Sequence, residues 1–382
     1  MCAVADAGKY ASAVTEPLPT TMRALRKAAP GPGLGLVEVP VPTPGPGEVL
    51  VKVAAASICG TDLHIYEWNP WAEKRLKPPV IPGHEVAGHV VATGPEVHHI
   101  KPGAFVSAEG HVFCGFCPQC RRGRMHTCER MRILGVDFDG GFAQYVAFPE
   151  RNAWEVDRRI PPDIASIHDP FGNAVHTAFV HGGADDIVGA TVVVLGCGPI
   201  GLFAVGVVRA AGARQVVAVE PNEFRQGLAK QMGADVVIDP TNENAVEAVM
   251  QATDGHGAEV VLEMSGVPTV IRQATEMVCG GGRVVLLGLP TEPVPLELTD
   301  HVIFKEARIY GVTGRVLFRT WETVSNLLAS GTVDVTPVIT HRFGLEEFEQ
   351  AFEAMDSGRS GKVLLLPNGP PANGDPTAAA AR

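Results

Sequence analysis

From Met22 to about Phe148 the apolar positions come in short runs broken by Gly and Pro. Val49-Leu50-Val51-Lys52-Val53 and Ala87-Gly88-His89-Val90-Val91 are two such runs, with turn signals at Pro44-Gly45-Pro46-Gly47 and Lys101-Pro102-Gly103. Runs of this length between turn residues read as strands. They predict an antiparallel, barrel-like domain with its chemistry on the loops. From about Gly189 the rhythm changes: apolar runs at 191–195, 215–219, 235–238, 258–262 and 283–288 alternate with helix-like segments. A parallel sheet covered on both faces requires that alternation. Past Thr313 the pattern is mixed again, with a helix near 319–330 and a closing strand, Lys362-Val363-Leu364-Leu365-Leu366, expected to pack back onto the first domain. The resulting division is 22–172, 173–313 and 314–366. Residues 1–21, with a second plausible start at Met22, have little periodicity, and 367–382 are rich in Pro, Gly, Asn and Ala. Both ends are expected to be disordered.

Composition narrows the class. With 46% apolar residues over 382 positions the chain can fill two cores, and a net charge of −11 argues against nucleic acid or an anionic membrane as partner. Val192 to Val208 carries no charge, but Gly196, Gly198, Pro199 and Gly201 interrupt it, and it is short of the ~20 apolar residues of a membrane span. It reads as strand, glycine turn and helix. Residues 1–21 lack the apolar core of a signal peptide, so a soluble, cytosolic protein is expected.

The glycine turn is Gly196-Cys197-Gly198-Pro199-Ile200-Gly201, and Glu220 ends the next strand nineteen residues after Gly201. A bare GxGxxG is weak evidence; strand before, helix after and an acid at this distance make it a dinucleotide fingerprint. The phosphates would lie at the helix N-terminus, and Glu220 would accept from the ribose hydroxyls and repel a 2′-phosphate, which selects NAD over NADP. A solvated strand-end charge is the plain alternative for Glu220.

Two groups of residues have metal-binding character. Cys59, His84 and Glu85 supply a thiolate, an imidazole and a carboxylate, a set that zinc takes in catalytic sites with an exchangeable fourth position. An ordinary buried Cys and a core His would be the alternative. Thr61 and His64 stand close enough to Cys59 to pass protons. Cys114, Cys117, Cys120 and Cys128 lie within fifteen residues, a spacing that suits a closed structural zinc site. A disulfide pair or an iron–sulfur cluster are the competing readings. Cys2, Cys197 and Cys279 are scattered and read as free.

Together these motifs resemble the zinc-dependent medium-chain dehydrogenases, and within that family its threonine-oxidising branch. The narrower likeness rests on ICGTDLHIYEW at 58–68, AEGHVFCGFC at 108–117, DPFGNAVHTA at 169–178, YGVTGR at 310–315 and PVITHRF at 337–343. The resemblance implies an α/β chain with a GroES-like β-barrel catalytic domain and a Rossmann doubly wound parallel sheet. It implies two zinc ions per chain, a catalytic one on Cys59, His84 and Glu85 and a structural one on Cys114, Cys117, Cys120 and Cys128. Thr61 and His64 would form the proton relay, with Asp169 an acidic group near the metal. NAD would contact Gly196, Gly198, Ile200, Gly201, Glu220, Arg225, Leu287, Gly288, Leu289, Val312 and Thr313. Val86 and Thr313 stand where some relatives have an aromatic and Tyr; neither removes a polar group the chemistry needs.

The implied reaction is NAD⁺-dependent oxidation of the 3-hydroxyl of L-threonine to 2-amino-3-oxobutanoate. The resemblance further implies a homotetramer and functional coupling to a glycine C-acetyltransferase. A zinc polyol or 2,3-butanediol dehydrogenase shares every metal and NAD feature and is the nearest rival. A non-catalytic NAD-binding redox sensor is the rival of a different class. His111 is a candidate for shaping the substrate side of the metal site. Arg315 can be read as a receptor for the substrate carboxylate or a cofactor phosphate, or as half of a structural ion pair.

Overall fold

The computed structural model describes residues 17–180 and 184–370. Thirteen strands form two large sheets. In chain order these are β1 (Glu48–Ser57), β2 (Glu85–Thr93), β3 (Phe105–Ala108), β4 (Tyr145–Pro149) and β5 (Ala153–Glu155), then β6 (Thr191–Leu195), β7 (Gln215–Val219) and β8 (Val236–Ile238), then β9 (Ala258–Glu263), β10 (Val278–Leu286), β11 (Arg308–Gly311), β12 (Ile339–Phe343) and β13 (Lys362–Leu365). Five helices matter for the site: α1 (Gly60–Glu67), α2 (His168–Ala178), α3 (Pro199–Ala210), α4 (Glu223–Gln231) and α5 (Arg319–Ala329).

The first sheet has the order β12-β13-β1-β2-β3-β5, with β4 also paired to β1. It is antiparallel except for β12 and β13. β1 is its spine: β2 follows it from Val49 to Ser57, while β4 takes Glu48–Lys52 and β13 takes Ala56 and Ser57. The closing strand therefore returns to the first domain, as its apolar pattern suggests, and its backbone oxygen at Val363 accepts from Ile58 N at 2.9 Å. The core under this sheet gathers Leu50, Val51, Val53, Phe142, Phe148 and Phe352, all nearly or fully buried.

The second sheet is wholly parallel, in the order β8-β7-β6-β9-β10-β11. Numbered within the sheet this is 3-2-1-4-5-6, the dinucleotide-binding arrangement, with its crevice where β6 meets β9. All five residues of β6 are buried, as expected of a strand covered on both faces. Strand β10 starts at Val278, earlier than the apolar run at 283–288 implies. Its first turns pass through Gly280, Gly281 and Gly282, which carry no hydrophobic signal, and its pairing with β9 shifts register between Ala258 and Val260.

The expected division at 172/173 falls inside α2. Nine of its eleven residues are buried, so the helix is one packed unit and no break is available there. Of the ends expected to be disordered, 1–16 and 371–382 lie outside the described residues. Those described are tied down: Val41 N donates to Thr20 O at 3.0 Å, the strand Thr21–Arg26 pairs with Gly35–Pro40, and Asn368 Nδ2 donates to Val53 O at 2.9 Å and Gln144 O at 3.0 Å. Among the described residues no helix is long and apolar enough to cross a membrane.

Candidate active site

Cys59, His84 and Glu85 come together, with their ligand atoms within 4.8 Å of one another. Each is placed by a change of local structure. Cys59 leaves β1 in extended conformation and stands at the N-cap of α1. Its N–H donates to Asp62 Oδ2 at 2.9 Å. His84 and Glu85 follow Gly83, whose φ is +95° and whose absent Cβ would lie 2.5 Å from the buried Phe142 ring. Only glycine fits there.

The pocket is rich in carboxylates and largely buried. His84 Nδ1 and Asp62 Oδ1 are buried without a hydrogen-bond partner and face each other at 3.9 Å. A proton on Nδ1 would point at Asp62 and leave Nε2 as a donor atom, the usual outer-shell arrangement of a metal-binding imidazole. Burial disfavours a charged His84 ring, yet Asp62, Cys59 and Asp169 more than offset it and raise its pKa to about 10. Surroundings that hold a positive charge so strongly fit a divalent cation. The donor set of sulfur, nitrogen and oxygen fits zinc.

Glu85 has two partners that no local motif announces. Its Oε2 accepts from Ser57 Oγ and from Lys362 Nζ, the latter at 2.5 Å. Thr61 is half-buried in the first turn of α1 and His64 is exposed three residues on, with its ring 6.2 Å from that of Trp71.

Cys114, Cys117, Cys120 and Cys128 also place their sulfurs within 4.8 Å of one another. None is in a disulfide. The Sγ atoms of Cys117 and Cys120 are 3.5 Å apart and those of Cys117 and Cys128 3.9 Å. A tetrahedron with zinc–sulfur bonds of about 2.3 Å has edges of about 3.8 Å. Backbone N–H groups of Phe116, Cys117 and Arg130 point at these sulfurs, as expected around thiolates. The disulfide reading is thereby overturned and the zinc reading fits.

A third cluster lies beside the first. Arg315 is fully buried between two carboxylates. Its Nε and Nη2 donate to Glu109 at 2.7 and 2.5 Å, and its Nη1 donates to Asp169 Oδ1 at 2.8 Å and to Asn173 Oδ1 at 3.1 Å. Glu109 also accepts from Trp321 Nε1 at 2.6 Å and His111 N at 2.8 Å. Burial alone would raise the Glu109 pKa, but Arg315 and His111 outweigh it and hold it at about 2. Burial, with Glu109 adding to it, pushes Asp169 up against the pull of Arg315. Arg315 is thus committed to an ion pair, which removes it as a receptor for a substrate carboxylate or a cofactor phosphate. Gly172 makes the room: a Cβ there would sit 2.7 Å from Arg315 Cδ. A glycine inside a helix, in DPFGNAVHTA, was the available signal.

At the crevice of the parallel sheet the three glycines have three different reasons. Gly196 has φ +88°, and a Cβ on Gly201 would be 2.0 Å from the Gly196 carbonyl oxygen. Gly198 faces open space, where a pyrophosphate can approach the uncapped N-terminus of α3. Glu220 is buried and its two oxygens accept from Cys197 N at 2.6 Å and Asn222 N at 3.0 Å, so it is not a solvated charge. Arg225 lies on α4 with Nε 3.5 Å from Ser360 O. Ile200 is the second residue of α3, while Leu287, Gly288 and Leu289 follow β10, and Val312 and Thr313 follow β11. All stand at the carboxyl ends of the strands.

Family models match both halves of this arrangement: an alcohol dehydrogenase GroES-like domain at 45–158 and a zinc-binding dehydrogenase at 199–330. The L-threonine 3-dehydrogenase of Symbiobacterium thermophilum is 52% identical over 349 residues, covering 91% of this chain and 98% of the relative. The chain belongs to the L-threonine 3-dehydrogenase family. Another member, from Pyrococcus horikoshii, is 50% identical over 346 residues, covering 90% of this chain and 98% of its own. Among solved structures, a zinc-binding dehydrogenase from Sinorhizobium meliloti bound to NADP superposes with a TM-score of 0.82 at 33% identity, over 91% of this chain and all of that one. The 2R,3R-butanediol dehydrogenase of Bacillus subtilis gives the same TM-score at 28% identity, again over 91% of this chain and all of that one. For this family the GroES-like and Rossmann folds expected from the sequence hold.

Proposed function

We propose that this protein oxidises the 3-hydroxyl of L-threonine with NAD⁺, giving 2-amino-3-oxobutanoate and NADH. One observation carries the reading: 52% identity to an L-threonine 3-dehydrogenase over 91% of the chain. Cys59, His84 and Glu85 would hold a catalytic zinc, and Cys114, Cys117, Cys120 and Cys128 a structural one. Bound zinc supplies Lewis acidity that lowers the pKa of the substrate hydroxyl, and NAD⁺ takes the hydride.

The chain's own residues manage the proton and the orientation. Thr61 and His64 are three apart on α1 and so share a face. Thr61 Oγ1 accepts the hydroxyl proton as it gives up its own, and with the nicotinamide ribose as the link the exposed His64 ring delivers a proton to solvent. Asp169, fixed by Arg315, keeps a carboxyl beside His84. The glycine turn and the N-terminus of α3 seat the pyrophosphate, and Glu220 selects NAD by repelling a 2′-phosphate. Ile200, Arg225, Leu287, Gly288, Leu289, Val312 and Thr313 line the rest of the cofactor. The family resemblance also supports a cytoplasmic homotetramer whose unstable β-keto acid product is consumed by a glycine C-acetyltransferase.

Initial rates of NAD⁺ reduction by the zinc-loaded protein test this, with L-threonine, sorbitol and 2,3-butanediol in parallel. A clear preference for L-threonine is expected. Activity confined to the diols would overturn the substrate and keep the cofactors.

A further inference from the structure

Three neighbouring strands bring one residue each to the edge of the metal pocket. Ser57 and Glu85 are directly opposed partners of β1 and β2, and Leu364 of β13 pairs with Ser57 from the other side. Lys362 is two residues from Leu364, hence on the same face and diagonal to Ser57. All three are buried: Ser57 at 0%, Glu85 at 1% and Lys362 at 3% exposure. Ser57 Oγ and Lys362 Nζ both donate to the same oxygen, Glu85 Oε2.

A buried ammonium needs a counter-charge, and Glu85 Oε2 is the carboxylate oxygen that Lys362 Nζ meets at ion-pair distance. Glu85 is also one of the three groups that converge as metal ligands. The ammonium and a metal thus compete for one carboxylate. A carboxylate that bonds an ammonium and a hydroxyl through one oxygen offers a metal at most the other, with part of its charge already balanced.

We propose that Lys362 is a positioning residue that keeps Glu85 a weak, single-oxygen donor, so that a metal on Cys59 and His84 retains an exchangeable position for substrate. The proposal rests on the metal reading given above. It assigns the closing strand, far from the cysteine and histidine motifs in sequence, a part in setting how the site exchanges ligands.

The test is the rate at which zinc leaves the full-length, zinc-loaded protein for a colorimetric chelator, followed alongside kcat and NAD⁺ affinity. Cys59→Ser first identifies the phase that belongs to this site. In Lys362→Met that phase should slow about tenfold and kcat should fall by a similar factor, since outer-shell changes typically shift metal affinity or activity 10–100-fold. NAD⁺ affinity should stay unchanged. Lys362→Arg should restore both rates, and Ser57→Ala, which removes the other donor to Oε2, should slow release by a smaller factor. Unchanged or faster release in a folded Lys362→Met protein would overturn the proposal. If that variant does not fold, unchanged release in Ser57→Ala overturns it. A release profile that Cys59→Ser leaves intact would instead sink the metal reading, and this proposal with it.

Discussion

Glu109, buried, accepts hydrogen bonds from Arg315 Nε and Nη2, Trp321 Nε1 and His111 N. Its function is to complete the Arg315 ion pair that holds Asp169 beside His84. Because its folded pKa, about 2, lies below the ordinary 4.5, its contribution is fully present above about pH 4.5 and is lost as pH falls towards 2. Glu109→Gln should therefore flatten the acid limb of a stability–pH curve in that window. At neutral pH it should cost about 3–5 kcal/mol, because it breaks one arm of a buried ion pair; urea melts at several pH values check both. Residues of this kind were hard to read from sequence. Cys59, His84 and the four-cysteine group announce themselves by local spacing, whereas Glu109 and Arg315 meet across 206 positions. Lys362 looks like an ordinary strand residue until its partner is known.

Elements were more legible than their edges. The period-two and continuous apolar runs located β1, β2, β6, β7 and β9, because burial on one or both faces writes itself into the pattern. The start of β10 was hidden by three glycines, and the passage through α2 was hidden because a helix buried on nearly every side gives no boundary signal. The clearest dependence of the site on one element is at the start of β2. Gly83→Ala puts a Cβ into the Phe142 ring at a φ that disfavours any side chain. We expect a loss of about 1–3 kcal/mol from overpacking in addition to strain, and displacement of His84 and Glu85. Elemental analysis should then find zinc falling from two per chain towards one, since the four-cysteine lobe is untouched.

At the scale of the molecule, two cores are tied together by α2, α5 and the polar bonds between them. Trp154 Nε1 donates to Ser325 Oγ at 2.7 Å, and Trp321 bridges to Glu109. The cysteine lobe has a small core of Cys117, Cys120 and Cys128 with Phe113, Met125 and Met131 packed against it, and it touches α2 where the His126 and His176 rings lie 5.5 Å apart. Cys128→Ser should strip one zinc and lower Tm by about 3–5 °C, equivalent to a few kcal/mol in a protein of this size, while NAD⁺ binding persists in a fluorescence titration. Retained Tm would mean that the lobe is held without metal. The strand order 3-2-1-4-5-6 could not be read from hydropathy, because the pattern reports which strands are buried and not which ones are neighbours.

The pairing of Lys362 with Glu85 also has a temporal side. Ribosomes make the chain from its amino end, so Cys59, His84 and Glu85 exist long before the codon for Lys362 is translated. Throughout that interval the chain carries the Glu85 carboxylate without the ammonium that balances it in the finished fold. A messenger cut short before that codon would encode a chain with Cys59, His84 and Glu85 present and the Lys362 counter-charge missing.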